Sequence, residues 1–321
     1  MTTMQDRFRG CLMGLAVGDA VGTTLEFVPR GNIGIGEGMI APVTDMVGNG
    51  PFCLKAGQWT DDTSMALCLA QSLIDVGFDG EDQQKNYCKW RDEGYYSSTG
   101  VLFDIGYTTA QALRKFTDTG VWQSGSTDEN TSGNGSIMRL APVPMFYQNS
   151  IYKSVKYSIQ SSMTTHGSRS CLDSCGLMGL ILSGLLREFP KEFVLDMYED
   201  FRLYVRESLG SNHIIKKEVK DIALGEYMNK SIDEIKGSGY VVESLEASLW
   251  CFHKTDNFKE AILKAVNLGD DADTTGAIVG QFAGAHYGLS GIPKSWVEKV
   301  TMKDKIIELA DRLFELSEEN K

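Results

Sequence analysis

Gly10-Cys11-Leu12-Met13-Gly14-Leu15-Ala16-Val17-Gly18-Asp19-Ala20-Val21-Gly22 places a glycine at every fourth position of an otherwise largely apolar stretch. An α-helix repeats every 3.6 residues, so positions four apart share a face, and this stretch lays a stripe without side chains along a helix. An interior helical glycine costs about 1 kcal/mol relative to alanine, so the stripe gives up several kcal/mol of intrinsic helix stability. That sacrifice makes sense where a second backbone must come close. A matching stripe lies near the other end of the chain, at Gly276, Gly280, Gly284 and Gly288. Both stretches hold polar residues (Asp19, then Gln281 and His286) and fall short of the roughly 20 residues that span a bilayer. We expect both helices in the core, packed against each other. An antiparallel arrangement would bring Glu26, just beyond the first, to the start of the second.

The start of the second helix is acidic: Gly269-Asp270-Asp271-Ala272-Asp273-Thr274-Thr275. A cluster of the same design, Thr60-Asp61-Asp62-Thr63, lies more than two hundred residues earlier. Neighbouring residues of a helix point about 100° apart, so consecutive aspartates cannot share a helical face. In the turn that enters a helix they can converge, and there the backbone dipole tolerates negative charge. Read alone, either cluster is ordinary helix capping, worth roughly 1 kcal/mol. Two such clusters, with Glu26 as a third acidic candidate, point instead to a divalent-cation site, binuclear if the clusters meet. Two unrelieved carboxylates about 4 Å apart repel by about 4 kcal/mol at an effective dielectric near 20, so convergence demands a cation or raised pKa values. Carboxylate and hydroxyl oxygens are hard ligands that suit magnesium or manganese, not zinc.

Composition narrows the function classes. The 321 residues can build a full hydrophobic core, and with seven prolines and no low-complexity tract they read as a single domain over 1–321. A net charge of −12 argues against nucleic acid as a partner. The cysteines at 11, 53, 68, 88, 171, 175 and 251 make an odd, scattered set, which fits reduced thiols in the cytoplasm. The N-terminus does not read as a signal peptide, and no apolar run suggests a membrane partner.

Helical periodicity dominates and strand signals are sparse, so the fold class is all-α. Helices are expected near 5–21, 64–76, 83–92, 106–116, 136–147, 150–164, 169–186, 192–208, 241–251, 258–267, 275–287 and 304–317.

Together, several segments resemble the ADP-ribosylglycohydrolase family, especially its bacterial branch typified by dinitrogenase reductase-activating glycohydrolase. The likeness runs through the glycine-striped segment to Gly22, Glu26, Thr60-Asp61-Asp62-Thr63 and Phe103-Asp104-Ile105-Gly106. It continues with Gly133-Asn134-Gly135-Ser136-Ile137-Met138-Arg139, Thr165-His166 and Asp270 to Thr275. Each motif alone is weakly specific; their joint order is strong.

The resemblance implies an orthogonal helical bundle with two Mg2+ or Mn2+ ions in a cleft. It makes Thr60, Asp61, Asp62, Asp271, Asp273 and Thr274 the metal ligands. Asp270 falls where many relatives have glycine and is assigned a supporting or capping part. Glu26 and Asp104 become the catalytic residues, Glu26 standing beside the metals and either coordinating one or orienting water and substrate, Asp104 either an acid/base or a ribose contact. Taken alone, Asp104 would be a helix cap. The loop Thr131, Ser132, Gly133, Asn134, Gly135 and Ser136 offers backbone amides to a diphosphate, with His166 beside it. Some relatives carry an aromatic residue where this chain has Ser132, so Trp122, Tyr95 or Tyr96 is expected to stack on adenine.

The implied activity is metal-dependent removal of ADP-ribose from a modified protein side chain, with the N-glycosidic arginine linkage favoured. Breaking the bond at ribose C1 builds oxocarbenium character on the sugar, which nearby carboxylates would stabilise. Hydrolysis of serine-linked or small-molecule ADP-ribose, and a non-catalytic ADP-ribose binder, are the alternatives. A two-metal phosphoesterase would explain the aspartates but neither the Asn134 loop nor Asp104.

Overall fold

The computed structural model describes residues 2–319. Its helices are α1 (Met4–Gly22), α2 (Asp61–Val76), α3 (Gly80–Glu93), α4 (Tyr107–Thr119), α5 (Pro142–Phe146), α6 (Ile151–Ser162), α7 (Arg169–Leu186) and α8 (Lys191–Val194). They continue with α9 (Tyr198–Leu209), α10 (Lys217–Ala223), α11 (Val241–His253), α12 (Phe258–Val266), α13 (Ala272–Tyr287), α14 (Lys294–Lys299) and α15 (Lys303–Glu319). Among the described residues the only paired strands are Gly48–Asn49 and Leu54–Lys55, antiparallel with Gly48 opposite Lys55.

The striped helices α1 and α13 pack antiparallel in the core. A Cβ added at Gly14 would sit 2.2 Å from the Gly280 carbonyl oxygen, and one at Gly280 would sit 1.9 Å from that of Gly14. Gly10 meets Gly284 and Gly18 meets Gly276 in the same way, and Gly22 continues the seam to Ala272. Only glycine allows this approach. Gly288 closes the seam, its carbonyl carbon 2.4 Å from a Cβ placed at Gly10, and ends α13 in the left-handed region at φ 72°. Because the helices are antiparallel, the end of α1 and Glu26 meet the start of α13.

Helix α7 has the length and composition to cross a membrane, with mean hydropathy 1.3, yet 89% of it is buried inside the protein. All seven cysteines are free.

Two expected helices differ. Over 136–147 only Pro142–Phe146 is α-helical. Pro142 lacks the N–H that would continue the ladder. Gln281 of α13 satisfies the freed groups: its Oε1 accepts from Ala141 N at 2.7 Å, and its Nε2 donates to the carbonyls of Met138 (2.7 Å) and Ile137 (3.2 Å). The 192–208 helix breaks between α8 and α9. Val194, Leu195 and Met197 are all buried at the break. Helices α10 and α14 were not expected.

Candidate active site

Both acidic clusters belong to first helical turns, Asp61 and Asp62 in α2 and Asp273 in α13. Neither helix is capped by its own residue: Thr60 and Asp271 hold the capping positions without a side-chain capping bond. Asp19, fully buried on α1, performs that task for α2. Its Oδ1 accepts from Thr60 N (2.9 Å) and Thr60 Oγ1 (3.0 Å), and its Oδ2 from Thr63 N (3.1 Å) and Thr63 Oγ1 (2.6 Å). The Asp61 and Asp62 side chains are thereby left free to face the other carboxylates.

The two clusters meet. Thr60 Oγ1 lies 3.1 Å from Asp62 Oδ2 and 3.2 Å from Asp273 Oδ2, while Thr274 Oγ1 lies 3.5 Å from Asp62 Oδ2. Two sets of carboxylate oxygens lie within 4.8 Å of one another: Asp19, Asp62 and Asp273, and Glu26, Asp104 and Asp273. Asp273 is common to both. Glu26 Oε2, Asp62 Oδ1 and Asp273 Oδ1 are buried without a hydrogen-bond partner. Orphaned buried anionic oxygens are costly, and a hard cation relieves them, so these residues fit a divalent metal.

Electrostatics agree with that fit. Burial, then the charges of Asp104, Asp271 and Asp19, push Glu26 up to about 9. Burial, then Asp19 and Asp271, push Asp104 up to about 7. Burial alone lifts Asp19 to about 6 against four favourable hydrogen bonds. Asp61, Asp62 and Asp273 are also held well above the usual carboxylate range, by burial first and then by one another and their acidic neighbours.

Above these groups opens a cavity of about 360 Å3. Glu26, Asp61, Asp104, Asp271, Asp273 and Thr274 line it together with Gly133, Asn134, Gly135 and His166. Thr60 and Asp62 are buried behind the acidic wall. Asp104 is not a cap, because the capping position of α4 is Gly106. Asp270 acts through its backbone: at φ 54° it donates its N–H to Val28 O and accepts from Phe27 N. That left-handed conformation is the one glycine adopts without strain.

The loop reaches the cavity through Gly133, Asn134 and Gly135 alone. Asn134 Nδ2 donates to Asp271 Oδ2 at 2.7 Å and to Ser244 Oγ at 3.2 Å. Thr131, Ser132 and Ser136 do not line it. Thr131 Oγ1 donates to Asp128 O, Ser132 Oγ to Glu129 O and Ser168 Oγ, and Ser136 packs under Cys175. A Cβ at Gly135 would lie 2.7 Å from His166 Cε1, so the His166 ring seats directly on this glycine. Burial, then the Arg139 charge, holds His166 down at about 3, so the ring is neutral at working pH. Arg139, itself fully buried, donates to Gly135 O (2.8 Å) and Thr165 Oγ1 (2.7 Å), tying the loop to the histidine turn.

Of the aromatic residues expected on adenine, Trp122 packs over Gly80, Tyr95 and Tyr96 tilt against each other at 4.2 Å, and none lines this cavity. Phe27, Tyr107 and Gly239 do line it, and sequence reasoning passed over all three, as it did the capping role of Asp19. Gly239 sits in a small-residue segment, Gly237-Ser238-Gly239, whose carbonyls accept from Asn134 N and Asp271 N. A larger depression of about 610 Å3 opens at the far end of α13, around His253 and His286, and shares no residue with the acidic cavity.

The sequence profile of ADP-ribosylglycohydrolase matches residues 1–321. This chain belongs to the ADP-ribosylglycohydrolase family. Its relatives within the family include "ADP-ribosylarginine hydrolase Tri1" of Serratia proteamaculans, 42% identical over 98% of this chain and 80% of that protein. The Tri1 of Pseudomonas putida is 45% identical over 97% of this chain and 78% of its own length. ADP-ribosyl-[dinitrogen reductase] glycohydrolase of Rhodospirillum rubrum is 30% identical over 94% of this chain and 92% of its own. Among solved structures, an ADP-ribosylglycohydrolase-related protein complex superposes with a TM-score of 0.84 at 36% identity, covering 99% of this chain and all of the other.

Proposed function

We propose that this member of the ADP-ribosylglycohydrolase family hydrolyses the N-glycosidic bond between ADP-ribose and an arginine side chain of a modified protein. The observation that carries the reading is the pair of carboxylate groups sharing Asp273 at the floor of one cavity, with three orphaned oxygens. The names of the Tri1 relatives support arginine as the linkage.

We assign two Mg2+ or Mn2+ ions to Thr60, Asp61, Asp62, Asp271, Asp273 and Thr274, and add Asp19 through its place beside Asp62 and Asp273. Bound there, the ions would supply positive charge to orient the ribose hydroxyls and acidify water. Glu26 and Asp104 face the cavity from opposite chain segments. Their carboxyl groups are placed to steady developing positive charge on the sugar and to move protons between water and the leaving nitrogen. The Gly133-Asn134-Gly135 turn, with the neutral His166 ring seated on it, is the part of the cavity lining we assign to the diphosphate and its neighbouring ribose. Free cysteines throughout support action in the cytoplasm.

The test is a product assay. An arginine-ADP-ribosylated target incubated with the protein and Mg2+ or Mn2+ should yield free ADP-ribose, and a chelator should abolish the release. AMP or inorganic phosphate as product would refute the reading, as would ADP-ribose released only from a serine-linked substrate.

A further inference from the structure

The residue after Glu26 is a phenylalanine held where apolar side chains are rarely left. Phe27 is 65% exposed and lines the acidic cavity. Its φ of 60° lies in the left-handed region, which is costly for a bulky non-glycine residue. Reciprocal backbone bonds hold it there: Phe27 N donates to Asp270 O at 2.7 Å, and Asp270 N to Val28 O at 2.8 Å. The ring is braced edge-on by Phe52, 6.4 Å away, which in turn lies 5.4 Å from Phe103, the neighbour of Asp104. Strain and exposure at one position, fixed from two sides, mark a side chain kept for contact with a ligand.

The cavity's charge pattern says which part of the ligand. Glu26, the neighbour of Phe27, and Asp104 are the lining carboxylates that the metal assignment leaves free, and neither lysine nor arginine is among the described residues lining the cavity. The adenine lies a diphosphate and a second ribose away from the reacting sugar, too far for the immediate neighbour of Glu26. A planar cation suits both features, since guanidinium groups stack on aromatic faces and are drawn to carboxylates.

We infer that Phe27 is the specificity-determining residue that receives the guanidinium of the modified arginine on its ring face, braced by Phe52 and Phe103. The inference rests on the arginine-linkage reading and adds to it the side chain that recognises the leaving group.

The test uses full-length protein with saturating metal and the ADP-ribosylarginine conjugate as substrate, so that no protein–protein contact intervenes. Replacing Phe27 by alanine or by leucine should raise KM about three- to tenfold, the range expected for a partly exposed cation–π contact, with a smaller change in kcat. Phe27→Trp should hold KM at or below wild type. Product inhibition by ADP-ribose, which lacks the guanidinium, should stay within twofold in every variant. Unchanged KM in both Phe27→Ala and Phe27→Leu would overturn the inference. So would a parallel loss of ADP-ribose inhibition, which would show that the ring holds the nucleotide or merely shapes the site. Wild-type protein that released nothing from the conjugate would instead sink the arginine reading itself, and this inference with it.

Discussion

Asp19 Oδ1 accepts both the backbone N–H and the hydroxyl of Thr60, at 2.9 and 3.0 Å, although the two residues stand on different elements. One carboxylate thus closes the open end of α2 and orients a hydroxyl between Asp62 and Asp273. Asp19→Ala should cost about 2–4 kcal/mol in a denaturant melt, because charged buried hydrogen bonds and a cap are lost together. Asp19→Asn preserves shape and should lose less stability, but metal affinity should drop in both when followed by calorimetric titration. Wild-type metal affinity in Asp19→Ala would show that this residue serves the helix alone.

The seam between α1 and α13 leaves no room for a methyl group. Gly280→Ala would put its Cβ 1.9 Å from a backbone oxygen, so neither a rotamer change nor a small shift can absorb it. The expected loss is about 3 kcal/mol or more, or failure to fold, seen as a lowered Tm or insoluble expression. Gly31→Ala is the control, since nothing lies within 4 Å of the place its methyl group would occupy, and it should change stability by about 0.5 kcal/mol or less.

The acidic cluster couples stability to pH and metal. Asp104 and Glu26, at about 7 and about 9 in the folded protein, hold protons that the unfolded chain would have released near pH 4. Their contribution is complete below the unfolded values and is lost as pH rises through the folded ones. Each retained proton corresponds to about 1.4 kcal/mol per pH unit. Between pH 6.5 and 9, where His166 stays neutral, Tm in EDTA should therefore fall with rising pH. The gain in Tm from Mg2+ or Mn2+ should grow over the same interval. A flat or rising Tm in EDTA would contradict this account.

Asp271 is tethered to the Asn134 loop at 2.7 Å, so its removal should cut both metal affinity and turnover. Asp271→Ala should lower metal affinity by about a hundredfold or more, with a far-ultraviolet circular dichroism spectrum close to wild type. Full activity in this variant would refute the site assignment.

What could be seen in advance was what local pattern encodes. Glycines at every fourth position announced a close helix pair, and the acidic clusters announced convergence, because both signals lie within single segments. Gln281 shows the opposite case: it rewrites the 136–147 segment from about 140 residues away, and no window around Pro142 contains it. Asp19 was hidden for the same reason, since its partners lie on α2. Thr131, Ser132 and Ser136 shared the loop's composition with Asn134, but which of them faces the cavity depends on backbone turns that small residues do not specify. Phe27 left no sequence signal beyond its position after Glu26. Its exposure follows from a backbone bond to Asp270, on the far side of the chain.

Where backbones touch across the glycine seam there are no rotamers to rearrange, so the shared wall behind the pocket has a single available shape. New substrate preferences in such a scaffold have to arise in the segments carried at its rim, around residues 27, 104–109 and 239. Diversity among descendants of this chain should accumulate there while the central pair stays monotonous.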